Sequence, residues 1–138
     1  MSEIRYFYNK YICEPMETRL RLGAIAYKKL EEELRTVYSS WDAFNACIDL
    51  TIMFLCGDGD FTRKDYDIFI AVSKKSPTYD QAYDTARAVS KNYTNIINKY
   101  KTLNTSLRAS IVYLASVIFA CKGSFGRSEE IMVNPFNY

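Results

Sequence analysis

Histidine is absent from this 138-residue chain. With it go the Ser-His-Asp and Cys-His nucleophilic systems, the HExxH zinc helix and histidine-based pH switching. Glycine and proline are sparse, at five and three residues, so collagen-like and low-complexity readings fall away. The four cysteines, Cys13, Cys47, Cys56 and Cys121, form no CxxC pair. Three of them lie in apolar helical runs, where a free thiol behaves as a small hydrophobe, and that usage points to a reducing compartment. Neither charge dominates: 18 Lys and Arg against 16 Asp and Glu leave +2, which argues against the dense positive field of a nucleic-acid binder. The longest apolar run, Ala109 to Cys121, is shorter than the about 18 to 20 residues of a membrane span. Met1 to Tyr8 shows no basic leader ahead of an apolar stretch, so no signal peptide is expected. These features predict a cytoplasmic protein with no membrane span and no nucleic-acid partner.

Helical periodicity fills the chain. Met16, Leu20, Gly23, Tyr27, Leu30, Leu34 and Val37 alternate in steps of four and three, which only a helix turns into one face. Pro15 sits where a first-turn proline is welcome. The interleaved charges Arg19, Arg21, Lys28, Lys29, Glu31, Glu32, Glu33 and Arg35 are expected on a solvated surface. Ser39 or Ser40 can cap a second helix ending at Gly57, and a third begins after Thr62 and stops at Ser76-Pro77. Thr78 caps a long stretch to Leu103, with a kink expected near Asn92. Asn104 or Thr105 caps the next helix, and a short last helix follows Gly126 and fades before Asn134-Pro135. No segment alternates with period two long enough to be a strand. The fold class is therefore all-α: one domain, 1–138, of about six to seven helices.

Two single positions carry their own expectations. Gly23 lies on the apolar stripe of the first long helix, where glycine costs roughly 1 kcal/mol against alanine, so a neighbouring helix is expected to pass close by. The tail, Asn134 to Tyr138, holds two aromatic residues and is expected to pack back on the bundle. The twelve tyrosines fall mostly on the same faces as Leu and Ile, which favours core packing over a stacking platform for bases.

The informative feature is a degenerate internal repeat at an offset of 64 residues. Ile52-Met53-Phe54-Leu55-Cys56-Gly57-Asp58-Gly59-Asp60-Phe61-Thr62-Arg63-Lys64-Asp65 lies over Ser116-Val117-Ile118-Phe119-Ala120-Cys121-Lys122-Gly123-Ser124-Phe125-Gly126-Arg127-Ser128-Glu129. One supersecondary unit occurs twice. Gly59 and Gly123 stand where a helix must end in a left-handed or crowded conformation. Phe61 and Phe125 are placed to anchor each loop. Thr62 with Asp65 forms a variant capping box, Phe61 can staple onto Tyr66, and Gly126 with Glu129 is the weaker copy. Capping alone accounts for this spacing with no ligand.

Asp58-Gly59-Asp60-Phe61-Thr62-Arg63-Lys64-Asp65, a helix running into Asp-Gly, an apolar residue two positions on and an acid four beyond, resembles the motif of the tellurite-resistance TerB-like family. The resemblance covers about residues 41–133, leaving 1–40 as an N-terminal helical extension. It implies an all-helical bundle of the kind found in bacterial and phage stress resistance, with no enzymatic activity and with loop acids that bind a divalent cation. In the second copy Lys122 and Ser124 replace the acids, leaving Glu129 alone.

The same loop can be set against the EF-hand register. With Gly59 at the invariant glycine, Asp58 takes the fifth position and Asp65 the twelfth, but Phe54 and Cys56 occupy the first and third, where oxygen ligands are required. A full EF-hand is ruled out. Asp58, Asp60 and Asp65, with the Thr62 hydroxyl and loop carbonyls, could still form a partial oxygen site for Ca²⁺ or Mg²⁺; otherwise no cofactor is expected. Asp49, within an apolar run, needs a partner, for which a tyrosine hydroxyl or a helix terminus is expected. The combined expectation is a non-enzymatic TerB-like binding module that takes a protein partner or a second copy of itself. The alternative is a metal-free helical adaptor or assembly subunit.

Overall fold

The computed structural model describes residues 3–57 and 59–137. It contains α1 (Glu3–Tyr11), α2 (Met16–Leu34), α3 (Ser40–Cys56), α4 (Arg63–Ser73), α5 (Tyr79–Tyr100), α6 (Thr105–Lys122) and α7 (Arg127–Val133), closed by a 3-10 turn, Asn134–Phe136. Among the described residues there is no strand. The chain is thus an all-α bundle, as the periodicity requires.

Side-chain caps set the helix starts. Ser39 accepts from the Asp42 amide, Thr62 from the Asp65 amide, Thr78 from the Gln81 amide and Asn104 from the Leu107 amide. Each satisfies a donor that the first helical turn leaves unpaired. The expected kink falls at Asn92, whose backbone (φ −126°, ψ 17°) interrupts α5. There the Asn92 side-chain amide donates to the Ala88 carbonyl at 2.8 Å. Of the two loop glycines, Gly123 is left-handed (φ 80°), as expected of a helix end, and a Cβ at Gly59 would meet nothing within 4 Å. Lys74, closing α4, takes φ 61° and is the one left-handed non-glycine residue among those described.

Two helices form the centre. α6 is buried continuously from Leu114 to Cys121, with Leu107, Ile111 and Val112 buried before it, and is covered by α1, α2 and α3. It is the one helix, among the described residues, long and apolar enough to cross a membrane; its place at the centre of the bundle accounts for that composition. α3 is the second, buried almost continuously from Leu50 to Cys56 and packed against α5, α6 and α2. The helix starts repeat at about 64 residues across the whole bundle: Pro15, Ser39 and Thr62 precede α2, α3 and α4, while Thr78, Asn104 and Gly126 precede α5, α6 and α7. The packing crosses between the two sets, with α2 lying chiefly on α6 and α5 chiefly on α3.

The remaining expectations divide. A Cβ at Gly23 would stand 2.8 Å from Val72 Cγ2, so α4 does pass close to α2. Phe136 is fully buried, edge-on to Phe54 with ring centres 6.3 Å apart, so the tail packs back. Tyr138 lies outside the described residues. Three charges expected in solvent are not there: Glu31 is 8% exposed, half-buried Arg19 donates to the carbonyls of Ile12, Glu14 and Ala120, and half-buried Glu33 accepts from the Ser110 hydroxyl at 2.8 Å. Helix α1 was not among the elements expected.

Candidate functional site

The acidic loop brings Thr62 and Asp65 together as a closed capping box. The Thr62 amide donates to Asp65 Oδ2 at 3.0 Å and the Asp65 amide donates to Thr62 Oγ1 at 3.2 Å. Phe61 is buried beneath them and stacks on Tyr79, whose ring also meets Tyr66 edge-on. Arg63 covers that Tyr79 ring at 4.3 Å, and the Tyr79 hydroxyl donates to the Phe61 carbonyl at 3.1 Å. The loop is therefore fixed by its own side chains. Asp60 is exposed and lines a 230 Å³ hollow that it shares with Arg87 and Lys91 of α5. Asp58 lies outside the described residues. Of the expected ligand set, Asp65 is buried with one oxygen engaged by the cap, and no group of three His, Cys, Asp or Glu side chains with metal-holding geometry occurs among the described residues.

The second copy keeps half of this device. The Gly126 amide donates to Glu129 Oε1 at 2.8 Å, and the Ser128 hydroxyl bonds the other carboxylate oxygen. The two copies touch through Lys64, whose ammonium donates to the Lys122 carbonyl at 3.1 Å. That places a cation at the negative end of α6, a favourable position for the helix dipole.

Asp49 is half-buried, with the Lys99 ammonium and the Tyr100 phenol in its electrostatic surroundings and no side-chain hydrogen bond or ion pair among the described residues. Burial pushes its carboxyl above the ordinary range, while the Lys99 ammonium pulls it back. The tyrosine beside it feels the same environment: burial, with Asp49 adding to it, pushes the Tyr100 phenol up.

Sequence reasoning missed a second region, at the other end of α4. Glu31 of α2 pairs with Lys75 at 3.6 Å and with Arg35 at 3.1 Å. The Lys75 ammonium also lies 4.6 Å from the centre of the Phe44 ring and 5.9 Å from that of Tyr27, both within cation–π reach. The cluster sits on a buried layer. Tyr27 and Thr51 have buried hydroxyls with no hydrogen-bond partner among the described residues. Burial pushes the Tyr27 phenol and the Cys47 thiol up, and Glu31 adds to both. Burial thus favours the neutral form of each, beside an ion group in which Glu31 is compensated by Lys75 and Arg35.

Lys75 divides two hollows. One, of 590 Å³, lies between α2 and the end of α4 and is lined by Leu20, Ala24, Ile25, Ala71 and Val72, with Lys28 and Lys74 among its charged lining. The other, of 370 Å³, lies between α3 and the start of α5, lined by Phe44, Ile48, Phe69, Pro77 and Ala82. At the edge of the second, Trp41 is 70% exposed and stacks on Phe44, with ring centres 5.7 Å apart and planes at 11°. Ile25 is 59% exposed at the first. The sequence did carry a signal for this region: Glu31 follows Tyr27 by four residues and so falls on the buried stripe of α2.

No protein-family model, curated protein or solved structure matches the chain.

Proposed function

We propose that this protein is a non-enzymatic helical binding module, TerB-like in its bundle and acidic loop, that receives a protein partner on the face marked by Trp41. The observation that carries the proposal is the exposed Trp41 ring stacked on Phe44 beside an apolar hollow. An exposed tryptophan costs solvation that a monomer does not recover, and tryptophan in a rigid aromatic pair is a frequent energetic anchor of protein interfaces. The absence of histidine and the neutrality of the buried thiol and phenol beside the cluster favour binding over chemistry.

The acidic loop enters this proposal in its metal-free form, as a capped junction. The capping box supports that version, because Thr62 and Asp65 satisfy each other. The TerB-like cation version would rest on Asp58 and Asp60 with loop carbonyls, and a Ca²⁺ or Mg²⁺ titration separates the two.

The test of the docking face is selection of peptides from a random phage-displayed library against the intact protein. Peptides with aromatic or aliphatic anchors should be enriched, and Trp41→Ala should weaken them at least about tenfold, as loss of an interface anchor does. Ile131→Ala, at an exposed apolar residue on α7, should leave them unchanged. Selected peptides that bind Trp41→Ala as well as the parent protein would overturn the proposal.

A further inference from the structure

The two hollows beside Lys75 define the chemistry of what they hold. Their apolar lining comes from α2, α3, α4 and the start of α5, and Lys75 is the residue common to both. Four basic side chains, Arg21, Lys28, Lys74 and Lys75, line the hollows against two acidic ones, Glu17 and Glu31. Both acids already have partners: Glu17 pairs with Arg21 at 3.4 Å, and Glu31 with Lys75 and Arg35. Lys28 and Lys74 are exposed and have no ion-pair partner among the described residues. The second hollow has no acidic lining residue. The face thus combines an apolar floor with uncompensated positive charge.

Lys74 adds an independent observation. It holds the left-handed conformation that glycine or asparagine ordinarily supplies at a helix C-terminus. A lysine there carries a backbone strain that a glycine would avoid. The turn is secured by the Lys75 amide donating to the Ser73 hydroxyl at 3.1 Å. The effect is to set two successive lysines at the end of α4, one on the rim and one between the hollows.

From this juxtaposition we infer that the face from Ile25 through Lys74 and Lys75 to Trp41 docks an acidic amphipathic helix of a partner protein. The inference rests on the docking face proposed above and specifies its occupant. Apolar side chains on one stripe of such a helix, spaced at three and four residues, enter the two hollows on either side of Lys75. Glutamates or aspartates flanking that stripe meet Lys28 and Lys74, which would otherwise repel a basic segment. An extended strand has no sheet edge to join among the described helices. A flat anionic bilayer does not enter paired concavities as separate side chains do.

The probes are three helix-stabilised peptides of about 14 residues, roughly four turns, with the same Leu and Phe stripe. Their remaining positions are glutamate-rich, neutral or lysine-rich, and binding is read by Trp41 fluorescence and by calorimetry. The acidic peptide should bind at least about tenfold tighter than the neutral one, the basic peptide weakest, and raising NaCl from about 50 to 500 mM should erode the acidic advantage. Lys28→Glu and Lys74→Glu should each reduce acidic-peptide affinity several-fold while leaving the neutral peptide unchanged. Lys28 lies on an exposed helical surface, so its variant keeps the test valid should the Lys74 turn prove sensitive. Equal binding of all three peptides, lost in Trp41→Ala, would overturn the acidic-partner inference and leave the docking face standing. Failure of all three overturns the inference, and the phage selection then judges the face on its own. Binding of phosphatidylserine vesicles that competes with the acidic peptide, or self-association in sedimentation that is lost in Lys74→Glu, would also overturn it.

Discussion

Gly23 and Val72 meet where α2 passes α4, with a Cβ at position 23 falling 2.8 Å from Val72 Cγ2. Backbone there approaches a branched side chain on a neighbouring helix, and the glycine exists to allow it.

Gly23→Leu is therefore expected to destabilise by about 1 to 3 kcal/mol through overpacking, roughly 3 to 5 °C in melting temperature per kcal/mol at this chain length. A double-mutant cycle isolates the cause. Gly23→Ala in a Val72→Ala background should gain about 1 kcal/mol of helix propensity, whereas in the parent protein the clash should cancel that gain. Equal gains in both backgrounds would show that the approach costs nothing.

The positions that sequence reading located well are those whose cause is local. The caps at Ser39, Thr62, Thr78 and Asn104, the kink at Asn92 and the closeness at Gly23 depend on residues within one turn or on one stripe. Glu31 looks solvated in the sequence because its counterion, Lys75, lies on another element, and only the fold brings the two together. Arg19 misleads in part for the same reason, since one of its three acceptors, Ala120, is 101 residues away. Helix α1 escaped because nine residues with two buried side chains, Ile4 and Tyr11, form a weak signal alone; its support is α6. At the acidic loop the capping pair was legible. The Trp41 face was not, since it is assembled from four elements.

Phe136 is expected to hold the tail in place. It is fully buried against Phe54, and Arg108 binds the neighbouring Asn137 carbonyl at 2.8 Å. Phe136→Ala should cost about 3 to 5 kcal/mol, as large aromatic truncations do, in urea melts that share one slope. An unchanged midpoint would mean that the ring contributes nothing.

Thr62→Ala and Asp65→Ala should each cost about 1 kcal/mol by opening the capping box. The metal-free reading expects the same cost in chelator, in millimolar Ca²⁺ and in Mg²⁺. A bound cation would behave otherwise: at one hundred times its dissociation constant it adds about 2.7 kcal/mol. The parent would then melt higher in metal by roughly 5 to 12 °C, and Asp58→Asn or Asp60→Asn would remove the rise.

Asp49 gives a pH signature. Its carboxyl is raised in the folded state by burial, so the folded protein holds that proton to higher pH than the unfolded chain does. Between the ordinary carboxylate pKa and the raised one, stability falls as pH rises. Asp49→Asn should therefore raise the melting temperature at pH 7, and the difference should close as pH drops below about 4, where both states are protonated. A variant less stable than the parent at pH 7 would show that the Lys99 attraction outweighs burial.

The crossed packing of α2 on α6 and α5 on α3 means that each half of the chain holds the first helix of the other. A fragment ending in the Lys74 to Thr78 connection would leave the apolar stripe of α2 without α6, and the complementary fragment would leave α5 without α3. Neither piece is a smaller version of the whole. A lone three-helix unit could satisfy its first helix only by borrowing the middle helix of a second copy, which is the reciprocity of a two-fold dimer. The single chain has the logic of such a dimer written in tandem: five linking residues between α4 and α5 turn a concentration-dependent association into an intramolecular one.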